Sequence, residues 1–277
     1  MSIPHITHQI WIQGWDVIPD KFKVNTESLK KHNPEFTHMT WDEKSLREEC
    51  AKISDKVRDK FDSLKYIVQK ADLGRYVILY NYGGVYVDTD MFSLKPISTT
   101  PNFENKDFII SYAPYPSNKL GFINNGIIMS KKNNTILMEL IMKIVETNIN
   151  EKYCLFKLLY IFLSTGPLIL LSVIYNHSAD VYILDNKYYE PCYIDNPFCK
   201  FCEESIMDHR HESSWHSNIS KLSYKYFSLV FYIILYFILP LLIIYIIYIL
   251  YNTLISSAPT QCQGLYPELL RDVLQKT

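Results

Sequence analysis

Hydrophobic and polar positions divide this chain into short alternating stretches, several helical stripes and one long apolar run. Residues 5–14, HITHQIWIQG, are rich in β-branched and aromatic side chains and end at Gly14, which predicts a first strand entering a loop. Residues 20–33 predict an exposed helix stopped by Asn33-Pro34, and residues 35–42 a second strand. Residues 43–62 carry a charged helical pattern with one solvated side. In LKYIVQKADLGRYVILYNYGG, Ile67, Ala71, Val77 and Ile78 recur at helical spacing, and Gly83-Gly84 supply the stop. Asp72 and Arg75 stand three positions apart in that helix, so they project from neighbouring points of one face. VYVD (85–88) then reads as a short buried strand. Further strands are expected over 107–113, 124–131 and 181–191, with a helix over 134–148. Helix, glycine turn and strand make an α/β unit, with carboxylates at the strand's carboxyl end.

Two apolar stretches need separate treatment. LFKLLYIFLSTGPLILLSVIY (155–175) is interrupted by Lys157 and by Ser164-Thr165-Gly166-Pro167, so it predicts helix, turn, helix inside the domain. No charged residue falls between Tyr226 and Pro267, and 227–251 is apolar or aromatic almost throughout. About 20 such residues suffice for a bilayer-spanning helix, so 226–255 is expected to cross a membrane once, kinked at Pro240. The expected organisation is a domain over 1–220, the span over 226–255 and a short tail over 256–277. The amino terminus shows no signal-peptide pattern. Lys221 and Lys225 before the span, against sequons at Asn133, Asn176 and Asn218, leave the sidedness open.

Composition narrows the function. A net charge of −1 without any basic run argues against a nucleic-acid binder. Six cysteines are too few for a disulfide scaffold at 277 residues. Cys192, Cys199 and Cys202, followed by His209 and His211, offer zinc-ligand chemistry, but paired Cys-x-x-Cys knuckles are lacking, so free thiols or a disulfide are the simpler reading.

The candidate chemistry lies in YGGVYVDTDM (82–91). In open α/β sheets, ligands gather beyond the carboxyl ends of the strands. In an extended segment, Asp88 and Asp90 would point to one side. Two carboxylates so placed repel each other unless a cation lies between them, and their oxygens favour Mg²⁺ or Mn²⁺. Such an ion naturally bridges the phosphates of a nucleotide. A two-metal phosphohydrolase would need a larger cluster of Asp and His than this pattern shows.

The block KADLGRYVILYNYGGVYVDTDM resembles the glycosyltransferase family named for its sugar-binding region with a DXD motif. That family includes fungal α-1,6-mannosyltransferases and inositol-phosphorylceramide mannosyltransferases. The resemblance covers most of 3–216, with IPHITHQIWIQG at the start, STGP at 164–167 and HRHESSWH at 209–216. It implies a GT-A, Rossmann-like α/β domain that binds a nucleotide sugar with Mn²⁺ or Mg²⁺. By position it implies that Asp88 and Asp90 contact the sugar nucleotide and the metal, and that Asp72 hydrogen-bonds the donor sugar. Arg75 would pair with Asp72 or with a sugar or phosphate oxygen, and Trp11 would lie beside the base. Ser214 and Trp215 would touch the β-phosphate. The third metal ligand stays open between His211 and Glu212, because this chain departs from the family's usual pattern just before Ser-Trp.

The expected function is therefore metal-dependent, retaining transfer of a sugar from a nucleotide donor, with mannose and GDP-mannose favoured. The apolar run suggests a membrane-associated acceptor, either a sphingolipid head group or a glycan, and an endomembrane (Golgi or ER) location. The competing reading is a catalytically silent, membrane-anchored interaction module that keeps the fold.

Overall fold

A computed structural model of the chain describes residues 2–114, 117–154, 157–191, 202–211, 241 and 244–250. The chain forms two compact units, Met1–Glu212 and Ser213–Thr277. The first is built on a six-stranded mixed sheet in the order β2-β1-β3-β6-β5-β7. Its strands are β1 (Ile6–Ile10), β2 (Thr37–Trp41), β3 (Gly84–Val87), β5 (Phe108–Tyr112), β6 (Ile123–Ser130) and β7 (Tyr182–Leu184). Neighbours β1 and β2, β1 and β3, and β5 and β7 are parallel, whereas β6 runs antiparallel to both β3 and β5. All but β6 therefore end at one edge of the sheet, and β6 begins there. A small second sheet pairs β4 (Met91–Ser93) with β8 (Met207–His209), and neither of these strands is anticipated by the sequence.

Strand alternation sorts side chains between two apolar layers. Tyr86, Phe108, Ile110 and Ile128 join one core cluster, while Val85, Val87, Ile109, Ile127 and Met129 join the other. Burial on both faces explains why these strands read as nearly continuous apolar runs. The first layer is covered by α2 (Glu43–Ile53), α3 (Asp55–Ser63), α4 (Ile67–Tyr82), α5 (Thr135–Glu146) and α7 (Pro167–Ile174). The second packs Leu29 of α1 (Asp20–His32) with Met91 and Met207 of the small sheet. The charged stretch 43–62 forms two helices, because Ser54 ends α2 and its side chain caps the N-terminus of α3. The strand expected over 5–14 stops at Ile10, and that over 181–191 is only Tyr182–Leu184.

α4 is the central helix, buried from Leu73 to Leu79, as expected of a helix enclosed on several sides. Its stop depends on two glycines. Gly83 adopts φ 69° and Gly84 φ 100°, and a Cβ on Gly84 would lie 2.4 Å from the carbonyl oxygen of Ile6. The close approach that Gly84 allows is thus between β3 and β1, while a Cβ on Gly83 would meet the backbone nitrogen of Lys132 at 2.6 Å. His8 of β1 reinforces the junction, its buried Nε2 donating to the Gly83 carbonyl at 2.8 Å while Trp41 Nε1 donates to its Nδ1 at 3.2 Å.

The stretch 157–177 is long and apolar enough to cross a membrane by length and composition. It is divided into α6 (Lys157–Ser164) and α7 at Thr165-Gly166, and Ile161, Ile169, Leu170 and Val173 are buried. This matches the helix, turn, helix expectation. The span expected over 226–255 lies outside the described residues except for Leu241 and 244–250, which are helical with exposed side chains. The tail over 256–277 lies wholly outside them.

Candidate active site at the carboxyl edge of the sheet

β3 delivers the two aspartates, but they do not project side by side from an extended strand. The chain turns directly after Val87, with the N–H of Met91 donating to the Asp88 carbonyl at 3.1 Å. The turn is anchored from both layers. Asp88 N–H donates to the Gly126 carbonyl at 2.8 Å, and Asn25 Nδ2 of α1 donates to the Thr89 carbonyl at 2.9 Å. The expectation of a shared direction is therefore corrected: the turn sends Asp88 toward α4 and Asp90 toward β8.

On the α4 side, Arg75 lies between two carboxylates. Its guanidinium is 3.0 Å from Asp72 Oδ1 and 3.2 Å from Asp88 Oδ1, and it also donates to the Asn125 carbonyl at 2.6 Å. The Tyr86 ring lies beneath it, 4.5 Å from centroid to guanidinium carbon. The Tyr86 hydroxyl donates to Asp88 Oδ1 at 2.5 Å. Asp72 accepts from Asn125 Nδ2 and from Thr165 Oγ1, both at 3.0 Å. Burial pushes the Asp72 carboxyl up to about 6 even though Arg75 and Thr165 oppose it. Burial likewise raises Asp88, again against Arg75. For Arg75, burial works to discharge the group, but Asp88, Tyr86 and Asp72 together hold it firmly protonated. The pair expected between Asp72 and Arg75 forms, and Arg75 binds Asp88 as well. With its side chain 5% exposed, Arg75 is committed to protein partners rather than presented to a phosphate.

On the β8 side, Asp90 Oδ1 lies 3.3 Å from His209 Nε2. His209 Nδ1 in turn donates to Glu190 Oε1 at 2.7 Å. His211 stacks on His209 with ring centroids 3.9 Å apart, and its Nε2 is 3.7 Å from Glu190 Oε2. Glu190, His209 and His211 offer ligand atoms all within 4.8 Å of one another. Burial alone would lower the His209 pKa, but Glu190 and Asp90 on either side hold it well above the ordinary histidine range. Glu190 Oε2 is buried without a hydrogen-bond partner, an acceptor that a cation would satisfy. Carboxylate and imidazole together form a donor set suited to Mn²⁺.

The remaining expected residues are placed as follows. Trp11, just past β1, packs on Phe22 of α1 with centroids 4.8 Å apart, and its Nε1 is buried without a partner. Ser214, Trp215 and Glu212 lie outside the described residues. Cys202 is a free thiol contacting Ser205 and the Lys187 carbonyl, so it is turned to a different set of partners from His209 and His211; Cys192 and Cys199 lie outside the described residues. Sequence reasoning missed Glu190, Tyr86, Thr165 and the pair Asn124-Asn125. Thr165 stood inside the STGP stretch without a role, and Asn124-Asn125-Gly126 left a trace as polar residues opening an otherwise apolar strand. Gly126 is needed there, since a Cβ would meet Asp88 Oδ2 at 3.0 Å.

The model of the glycosyltransferase sugar-binding region containing the DXD motif matches residues 19–109. A glycosyltransferase of Acanthamoeba polyphaga mimivirus is 28% identical over 239 residues, covering 83% of this chain and 91% of the relative. Inositol phosphoceramide mannosyltransferase 3 of Schizosaccharomyces pombe is 28% identical over 172 residues, covering 61% of this chain and 44% of the relative. The chain spans about half the length of the fungal curated relatives it matches. Among solved structures, the UDP-bound glycosyltransferase domain of the YGT toxin aligns with a TM-score of 0.49 at 11% identity, covering 66% of this chain and 80% of that one.

Proposed function

We propose that this chain transfers a sugar, with mannose favoured, from a nucleotide sugar to an acceptor hydroxyl, a reading supported by the match of residues 19–109 to the glycosyltransferase sugar-binding region containing the DXD motif. The observation that carries the proposal is the Asp88–Asp90 turn, tied on one side to a buried Asp72–Arg75 pair and on the other to His209 and Glu190. The relatives named as inositol phosphoceramide mannosyltransferases support GDP-mannose as donor and a sphingolipid head group as acceptor, a glycan being the second acceptor class. The apolar run over 227–251 supports single-pass attachment to an endomembrane.

In this reading Asp90 and His211, with Asp88 beside them, would hold Mn²⁺ or Mg²⁺. The chemistry a bound ion supplies is neutralisation of charge on the departing diphosphate. The chain's own residues position the reactants. The bond from the anomeric carbon to the diphosphate oxygen breaks, and its electron pair leaves with the diphosphate. The acceptor oxygen bonds to the same carbon from the face of the departing diphosphate and gives its proton to the leaving diphosphate oxygen, with the anomeric configuration retained. Arg75 holds the Asp88 carboxylate in place. Asp72, its oxygens already engaged by Arg75, Asn125 and Thr165, acts chiefly by fixing that arginine, with one remaining Oδ2 acceptor site for a donor hydroxyl. Trp11 would flank the base, and Ser214 and Trp215 would reach the β-phosphate.

The test is donor hydrolysis by the full chain with Mn²⁺, screened over GDP-mannose and UDP-sugars. Asp90→Ala should lower metal-stimulated turnover by about 10²-fold or more while the fold persists. Unchanged turnover in that variant would sink the assignment. No hydrolysis and no nucleotide-dependent thermal stabilisation of the wild type would favour the silent module.

A further inference from the structure

The β8 side of the site holds an arrangement that the DXD motif does not specify. The Glu190 side chain is fully buried at 0% exposure, and its Oε1 accepts from His209 Nδ1 at 2.7 Å and from Asn124 Nδ2. Its backbone is fixed as well: the N–H donates to the Asn186 carbonyl at 2.7 Å, and the carbonyl accepts from Asn186 Nδ2 at 3.0 Å. With Nδ1 engaged, the other ring nitrogen of His209 is directed at Asp90, 3.3 Å away. A carboxylate behind one imidazole nitrogen, with the second nitrogen turned toward a motif aspartate, is the geometry by which proteins orient a histidine ligand and raise its basicity.

We propose that Glu190 is a positioning residue of the cation site: it fixes the His209 ring so that Nε2 and the Asp90 carboxylate close on one divalent ion. The assignment rests on the glycosyltransferase reading above and adds His209 as a ligand. Glu190 stands behind that ligand. A carboxylate that supported the ring only by filling space would be replaced by glutamine without consequence for the ion. One that coordinated directly, through the unpartnered Oε2, would contribute independently of His209.

The experiment uses the full chain and Mn²⁺ alone as the probe, with affinity read by titration calorimetry and ligation by pulsed electron paramagnetic resonance. Wild type should show coupling to two imidazole nitrogens, those of His209 and His211, and His209→Ala should lose the His209 coupling. Glu190→Gln should keep it while binding Mn²⁺ about 10- to 100-fold more weakly. Glu190→Asp, which retains the charge, should recover part of that loss. The double variant Glu190→Gln, His209→Ala should bind no more weakly than His209→Ala alone. Wild-type affinity in Glu190→Gln overturns the inference, and so do losses that multiply in the double variant or a nitrogen coupling undiminished in His209→Ala. Failure of the wild type to bind Mn²⁺ overturns the metal-dependent reading itself, a result distinct from all of these. Thermal melts of each variant separate loss of the ion from loss of the fold.

Discussion

The two aspartates of one turn belong to regions built in different ways. Asp88 joins a network drawn mostly from α4 and β3, with Asp72, Arg75 and Tyr86 within sixteen positions of it. Asp90 joins one drawn from the far end of the domain, through His209, His211 and Glu190. In the first region each charge has an opposite partner, and Arg75 and Asp72 are almost without solvent contact, with Arg75 Nε the one guanidinium nitrogen buried without a hydrogen bond. The second keeps a buried carboxylate oxygen with no hydrogen bond. Neighbouring carboxylates of one turn thus meet different surroundings, one locking the turn to the core and the other facing a histidine backed by a buried glutamate. Pairing in the first region fixes geometry more than it adds stability, because desolvation consumes much of the Coulombic gain.

The sharpest way to break this contrast is Arg75→Met. It leaves two buried carboxylates without their cation, and unfolding by urea should show a loss of about 3–5 kcal/mol. A loss below about 1 kcal/mol would mean that the α4 network does not hold the turn rigidly. Acid provides a second, somewhat smaller probe through His8, which supports the α4–β3 junction. Burial lowers its pKa from 6.5 to about 4. The unfolded chain therefore takes up this proton first as pH falls. The stability held by neutral His8 is complete above about pH 6.5 and is lost progressively down to about pH 4, on the order of 3 kcal/mol in all. His8→Gln should flatten that part of the profile of urea midpoint against pH, and an unaltered slope would assign it to other groups. The smallest effect expected is from Tyr86→Phe. Removing the hydroxyl that donates to Asp88 should cost about 2 kcal/mol, within the range for hydrogen bonds to charged groups. Mn²⁺ affinity should change far less than in Asp90→Ala, and equal losses of affinity would erase the distinction between the two regions.

How much of this was legible in the sequence follows the same division. The α4–β3 unit was readable because its signals are local: helical spacing, two glycines at the stop, and carboxylates at the end of a strand. The break in 155–175 was readable for the same reason, since Gly166-Pro167 announces it. Glu190 was invisible, because a glutamate beside Tyr-Tyr and Pro carries no sign of burial until β7 and β8 bring it against Asn124 and His209. The alternation rule misdirected the reading of Asp88 and Asp90, since it presumes an extended backbone where the Asp88–Met91 hydrogen bond closes a turn. His209 was noticed as a companion of cysteines and as the first residue of HRHESSWH, and nothing in its spacing pointed to Asp90.

The antiparallel course of β6 and the late position of β8 also set a timetable. A nascent chain that has just exposed Asp90 still lacks Gly126, the backbone partner of Asp88. It must emerge by 119 more residues before His209 follows (209 − 90). At about 5–20 residues per second of synthesis, that interval is on the order of ten seconds. Throughout it the acidic turn stands without His209, so this corner of the sheet is among the last parts of the domain to consolidate on the ribosome.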